Sequence, residues 1–169
     1  MFLESSVIIK EWLREESFKL MLNIGSSDRE FFQDTQPFIW SNVMLPLYER
    51  GNALINIDIK MSEGVHVITD GRKIPDLDVD WVLCLSLLEH VEEPREFIQT
   101  IAGRLKMGSH AILECPAEYP YHEDPIDNGL RLVTRQDWEN FLEGLGLKVE
   151  KFEKIGDKKS TTLVLLTKI

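Results

Sequence analysis

Short runs of apolar residues punctuate the chain at Leu20 to Ile24, Leu54 to Ile57, Val65 to Thr69, Trp81 to Leu85, Ala111 to Cys115, Leu147 to Phe152 and Thr162 to Leu166. Most lack the polar/apolar alternation of a strand with one wet face, so they predict strands of a sheet covered on both sides. Between them the period becomes helical. Pro94 suits a first helical turn, Phe97, Ile98, Ile101 and Leu105 follow at helical spacing, and Gly108 is placed to close that helix in a left-handed conformation. Thr134 reads as an N-cap with Asp137 three residues on; Trp138, Phe141, Leu142 and Leu145 form one apolar face, which Gly146 ends. An amphipathic N-terminal helix over about Ser5 to Phe18 uses Ile8 and Trp12. A further helical stretch, Phe31 to Arg50, is interrupted by Pro37 and Pro46. Its part from Gln36 to Pro46, around Trp40, suits either a lid or the first crossover helix.

Two connections set the topology by their length. Residues 156–160 alone separate the last two runs, too few for a parallel crossover, so this pair is expected as an antiparallel hairpin. Only Ile59 to Gly64 separate the second and third runs. Six extended residues reach roughly 20 Å, enough to return along a four-residue strand of about 13 Å but not enough to add a helix. The pattern therefore predicts a single α/β domain over residues 1–169: a Rossmann-like sheet, mostly parallel, with a C-terminal antiparallel hairpin. The sheet face lacking a crossover helix needs another cover. The N-terminal helix or the Trp40 segment can supply it within one chain, which favours a monomer.

Composition changes the picture mainly by exclusion. With 169 residues, 43% hydrophobic and 28% charged, the chain can bury a full core, and long disorder is ruled out. A net charge of -10 makes nucleic acid and anionic lipid poor partners. Cys84 and Cys115 lie in apolar runs and read as buried reduced thiols, hence a cytoplasmic protein. Glu4 and the absence of a basic segment before an apolar core argue against a secretory signal, and no apolar run approaches the roughly 18 residues of a membrane span.

The candidate chemistry collects at strand ends, where open α/β sheets bind ligands. The first strand runs into Asn23-Ile24-Gly25-Ser26-Ser27, the second ends at Asp58, the third at Asp70-Gly71, and the fourth at Ser86, ahead of Leu88-Glu89-His90-Val91. In this order, with the segments "LKMGSHAILECP", "YPYHEDPIDNGLR" and "LEGLGLKVEKFE", the chain resembles the class I S-adenosylmethionine-dependent methyltransferases. It is closest to the small type whose fourth strand leads into an "LEHV" segment, and the resemblance spans nearly the whole chain. It implies S-adenosylmethionine as cofactor, with Asn23, Gly25, Ser26 and Ser27 beside the methionine moiety. Asp58 would hold the ribose hydroxyls, Ile59 would lie against the adenine, Asp70 with Gly71 would meet the adenine amino group, and Ser86 would stand at the sulfonium end. Carboxylates suit vicinal hydroxyls and an exocyclic amine, both of which donate. Asn23, Ser27 and Arg29 stand where the family has its acid and two of its glycines, a departure that also suits a catalytically inactive binding or regulatory relative.

Some members of the family bind a divalent metal through Glu-x-x-Glu-His and a later His. Ser86 replaces the first Glu here, so no metal is expected, and Glu89 reads as a residue that caps or orients the helix after the fourth strand. His122 follows the fifth strand in the loop Tyr119-Pro120-Tyr121-His122, on the side where a substrate lies, and is the first choice for a catalytic base, with His90 second. His66 and His110 sit in or beside strands and read as structural. The function implied is methyl transfer to a hydroxyl, amine or similar nucleophile on a small-molecule or glycan acceptor. A nicotinamide-dependent oxidoreductase is disfavoured, because no Gly-x-Gly-x-x-Gly is present.

Overall fold

A computed structural model describes residues 3–16, 20–25, 37–61, 64–123 and 126–169. The elements are α1 (Leu3–Trp12), β1 (Leu20–Ile24), a helix α2 built from Pro37–Ile39, Trp40–Met44 and Leu45–Glu49, then β2 (Ala53–Asp58), β3 (Val67–Ile68) and β4 (Val79–Leu85). α3 (Pro94–Arg104), β5 (Leu105–Pro116), α4 (Arg135–Leu142), β6 (Leu147–Ile155) and β7 (Thr161–Lys168) complete the chain. The strands form one sheet of order β3-β2-β1-β4-β5-β7-β6. Pairing is parallel from β3 to β5, and β7 runs antiparallel to both β5 and β6. The α/β class and the C-terminal hairpin are as the apolar runs predict.

Two apolar clusters cover the two faces. Phe97, Ile98 and Ile101 of α3 and Trp138 and Leu142 of α4 pack on one face with Leu22, Ile24, Val82 and Leu113. Ile9 and Leu13 pack with Val43, Met44 and Leu47 of α2 on the other, over Met21, Leu54, Leu83 and Ile112. The segment around Trp40 is thus the first crossover helix rather than a lid. Cover of the second face comes from within the chain, through α1 and α2. No helix among the described residues is long and apolar enough to cross a membrane.

Local sequence explains most boundaries. The Thr134 hydroxyl accepts from the Asp137 backbone N–H while the Asp137 carboxylate accepts from the Thr134 backbone N–H, a reciprocal cap at the start of α4. α4 ends at Leu142 rather than at Gly146, because Gly144 and Gly146 both take positive φ and turn the chain into β6. α3 ends at Arg104 instead of running to Gly108. Leu105 is already extended, and Gly108, with φ of 79°, lies where residues 106–109 leave the ladder between the pairs Val79↔Leu105 and Trp81↔His110. Pro46 does not interrupt α2. The π-helical segment Trp40–Met44 precedes it, with the Leu45 N–H donating to the Trp40 carbonyl; the wider turn relieves the clash a proline ring makes with the carbonyl four residues back. α1 is shorter than predicted, and residues 17–19 lie outside the described residues.

The β2–β3 connection holds no helix among its described residues, as its length requires. In its place the edge is closed by polar contacts. The Asn56 N–H donates to Nδ1 of His66, the Asn56 side-chain amide donates to the Gly64 carbonyl, and the His66 N–H donates to the Asn56 carbonyl. His66 is structural in this sense, and so is His110, whose ring lies 4.7 Å from that of Trp81 and whose Nδ1 meets the Thr167 hydroxyl.

Candidate functional site

β1 is flanked by β2 on one side and β4 on the other, so the strand order reverses at its carboxyl end, where connections diverge and leave a crevice. A cavity of about 250 Å³ opens there, lined by Ile24, Gly25, Asp58, Ile59, Thr69, Asp70, Arg72, Leu87, His90, Val91, Glu92 and Phe97. Gly25 turns the chain out of β1 with φ of 71°, its N–H donating to the Ile57 carbonyl. A Cβ at this position would stand 2.9 Å from the end of the Leu87 side chain, which can shift, so the turn favours glycine chiefly for its conformation.

The acids at the ends of β2 and β3 both face this cavity, but their partners differ. An Asp58 oxygen accepts from the Lys60 backbone N–H two residues on. Asp70 caps the short turn Gly71–Lys73 and takes the Arg72 guanidinium through both carboxylate oxygens, which holds its carboxyl at about 2. An adenine amino group would therefore compete with Arg72 for Asp70, a pairing that sequence reading does not foresee.

Three of the residues selected from sequence for the cofactor do not line the cavity. Asn23 is buried and donates to Asn56 Oδ1, tying β1 to β2 beneath it. Gly71 starts the Asp70-capped turn. Ser86 takes a left-handed conformation, φ 50°, and its hydroxyl donates to Glu114 Oε2 at 2.7 Å. The other Glu114 oxygen accepts from Ser5 of α1, so a fully buried carboxylate links the N-terminal helix to the end of β4. Ser26 and Ser27 lie outside the described residues.

Beyond β4 the turn Leu88–His90 carries His90 into the cavity wall. Asn128 clamps this turn: its side-chain amide donates to the Leu88 and Val91 carbonyls and its N–H to the Glu89 carbonyl. His122 is not among the lining residues; its ring lies 5.1 Å from that of His90 and its Nε2 stands 3.9 Å from Asp127 Oδ2. Asp127 is wholly buried and receives both terminal nitrogens of Arg131, which holds its carboxyl at about 2. The order of the two histidines is thus reversed with respect to the cavity, because the β5 loop folds behind the β4 turn. Glu114, Asp127 and Arg131 were not legible as site residues; the buried acid inside an apolar strand, "AILECP", was the one available signal. Among the described residues no group of three acids, histidines or cysteines is arranged to hold a metal.

No family model matches the chain, and no curated protein matches it. Solved structures do. Magnesium protoporphyrin IX methyltransferase from Synechocystis PCC 6803, with bound S-adenosylhomocysteine, is 13% identical at a TM-score of 0.69, covering 99% of this chain and 83% of that one. The 1,6-didemethyltoxoflavin-N1-methyltransferase of Burkholderia thailandensis, with its substrate and S-adenosylhomocysteine bound, is 12% identical at 0.67, over 98% of this chain and 76% of that one. The chain has the class I methyltransferase fold. The cyclase SpnF matches as well as the second of these, 12% identical at 0.67, over 98% of this chain and 81% of that one, so the fold by itself does not fix the reaction.

Proposed function

We propose that the chain transfers a methyl group from S-adenosylmethionine to a hydroxyl, amine or similar nucleophile of a small-molecule or glycan acceptor. The observation that carries this reading is the two-sided cavity at the switch point: Gly25, Asp58 and Asp70 form one wall, and His90, backed by His122, forms the other. The residues fit the cofactor. Gly25 lets the backbone approach, Asp58 offers a carboxylate for the ribose hydroxyls, and Ile24, Ile59, Val91 and Phe97 give an apolar surface for the adenine.

S-adenosylmethionine supplies a methyl group already activated on a sulfonium. The protein's share of the work is in-line placement, exclusion of water and removal of one proton from the nucleophile. His90 is the base nearest the cavity. Its Nδ1 meets the Ile126 carbonyl, which can only accept, so Nδ1 carries the hydrogen and Nε2 the lone pair. His122 packs against His90 and holds that ring in place.

Calorimetry with S-adenosylhomocysteine tests the reading. The wild-type chain should bind it, and Asp58→Ala should weaken binding by on the order of 1.5–3 kcal/mol, the loss of hydrogen bonds to a charged group. Equal affinities would remove Asp58 from the site, and no binding to either chain would end the proposal.

A further inference from the structure

The strands that lead to Asp58 and Asp70, β2 and β3, are parallel neighbours, which ordinarily require a crossover helix between them. No helix joins them among the described residues, and their pairing is short. β3 has two residues, and the register joins only Ile57 to Val67 and Asp58 to Ile68. A ladder of that length, against a usual strand of roughly five or six residues, does not by itself fix how two acids stand across a cavity.

Asn56 and His66 extend it upstream. The His66 N–H donates to the Asn56 carbonyl at 2.9 Å. A regular parallel ladder in that register would bring the Asn56 N–H to the carbonyl two residues before His66, that of Gly64. The bonds are exchanged instead: the Asn56 N–H donates to His66 Nδ1 at 2.9 Å, and the Gly64 carbonyl accepts from the Asn56 side-chain amide at 2.8 Å. A main-chain N–H can only donate, so the Nδ1 lone pair faces Asn56. Asn56 is buried; its Oδ1 accepts from Asn23 Nδ2 at 3.1 Å, and the Tyr48 side chain of α2 hydrogen-bonds it as well. It thus joins β1, α2 and the β2–β3 connection two residues before Asp58, while His66 stands four residues before Asp70. Neither Asn56 nor His66 lines the cavity.

We propose that Asn56 and His66 are positioning residues for the cofactor: together they hold the Asp58 and Asp70 carboxylates at the separation at which one meets the ribose hydroxyls and the other the adenine amino group. The inference rests on the methyl-transfer reading above. The exchanged bonds take the place of the absent helix, because they tie the connection to the sheet before the chain reaches Asp70. A last bond, from the Thr69 N–H to the Asp58 carbonyl at 2.9 Å, closes the ladder beside the acids. Groups held in place before the ligand arrives bind it more tightly, since the ordering is already done in the free protein. The same arrangement accounts for Asn23 in place of the family's acid. A carboxylate there would set an acceptor against Asn56 Oδ1, and turning the Asn56 amide to meet it would take the donor from Gly64.

Calorimetry of the full chain with S-adenosylhomocysteine and with adenosine is the test. His66→Leu keeps bulk and loses the acceptor, whereas His66→Asn carries an oxygen where Nδ1 stood. The first should lose about tenfold in affinity for both ligands, and the second should stay within about twofold of the wild type. A residue that acts through the acids has less to lose once one of them is gone, so in an Asp58→Ala background the His66→Leu loss should shrink to about threefold or less. The binding stoichiometry reports the folded fraction, which keeps loss of fold apart from loss of fit. Equal affinity of His66→Leu and the wild type, His66→Asn as weak as His66→Leu, or an undiminished loss in the Asp58→Ala background would overturn the proposal. Should His66→Leu fail to fold, His66→Ala replaces it with the same outcomes. A wild type that binds neither ligand ends the methyl-transfer reading and the positioning role together; a wild type that binds while any of those three results holds ends the positioning role alone.

Discussion

The two walls of the cavity are held in different ways. On the β2–β3 side the acids take partners from their own neighbourhood: Asp70 pairs with Arg72 and Asp58 with the Lys60 backbone, each two residues away and each exposed or half-buried. On the β4–β5 side most partners come from afar, the exception being Asp127 and Arg131, four residues apart. Ser5 and Ser86 meet on Glu114, Asn128 clamps residues 88–91, and buried Asp127 holds Arg131. Exposed local pairs are screened by water and cost little to exchange, whereas a buried pair that loses one member leaves a charge stranded. The first wall can therefore trade its partners for a ligand's hydroxyls and amines, and the second can keep a base in fixed geometry through the reaction.

The sharpest way to break the contrast is to remove a buried, charged member of the second wall. Asp127→Ala strands Arg131, which is 20% exposed, and frees the loop that supports His122. We expect a loss of about 3–4 kcal/mol in urea unfolding, or roughly 10 °C in melting temperature for a chain of this size. A loss below about 1 kcal/mol would mean that the second wall is no more rigid than the first. Glu89 gives the next largest effect, and it depends on pH. Its carboxyl has an ordinary value of 4.5 and is raised to about 7 in the folded chain, so the folded state binds more protons between those values. The associated stability is complete below 4.5 and is lost as pH rises through 7, about 3 kcal/mol in all. Glu89→Gln should remove that slope, raising stability relative to the wild type at pH 8 more than at pH 5. Parallel curves for the two proteins would show that Glu89 ionises normally.

The same contrast explains what was legible in the sequence. Apolar runs, the Thr134 cap and the two short connections foretold the sheet, its hairpin and the missing β2–β3 helix, because each is fixed by residues close in the chain. Gly25, Asp58 and Asp70 were found as strand-end residues for the same reason. The Asp70–Arg72 pair is local too, but a side-chain rotamer decides it, and no periodicity reports a rotamer. Asn23, Ser86, Glu114 and Asp127 were misread or missed because their partners lie 28 to 109 residues away, or lie close but on a fold-dependent turn. The interruption expected at Pro46 does not occur because a π-helical segment can absorb that proline, which propensity alone cannot foresee.

Gly25→Ala probes the hinge between the walls, since this residue touches both β1 and Leu87. Leu87 can move the end of its side chain, so the lasting cost is the positive φ, about 1–2 kcal/mol of stability. S-adenosylhomocysteine affinity should fall by tenfold or more, as 1.4 kcal/mol is already a factor of ten. Unchanged affinity would place the ligand away from the β1 turn.

Arg72→Ala should be the mildest change to the fold and the most informative about the first wall. The ion pairs it removes, with Asp70 and Glu92, are more than a third exposed on every side, so unfolding stability should be all but unchanged. Ligand binding is another matter, because Asp70 cannot give the same oxygens to Arg72 and to an adenine amine. If the first wall works by exchange, deleting the competitor leaves Asp70 ready for the amine, and S-adenosylhomocysteine should bind a few-fold tighter, on the order of 0.5–1 kcal/mol. Adenosine, which keeps the amine and lacks the methionine moiety, should gain by the same factor. Weaker binding of both ligands would show instead that Arg72 contacts the nucleoside, and the β3 wall would then be a fixed recognition surface like its counterpart across the cavity.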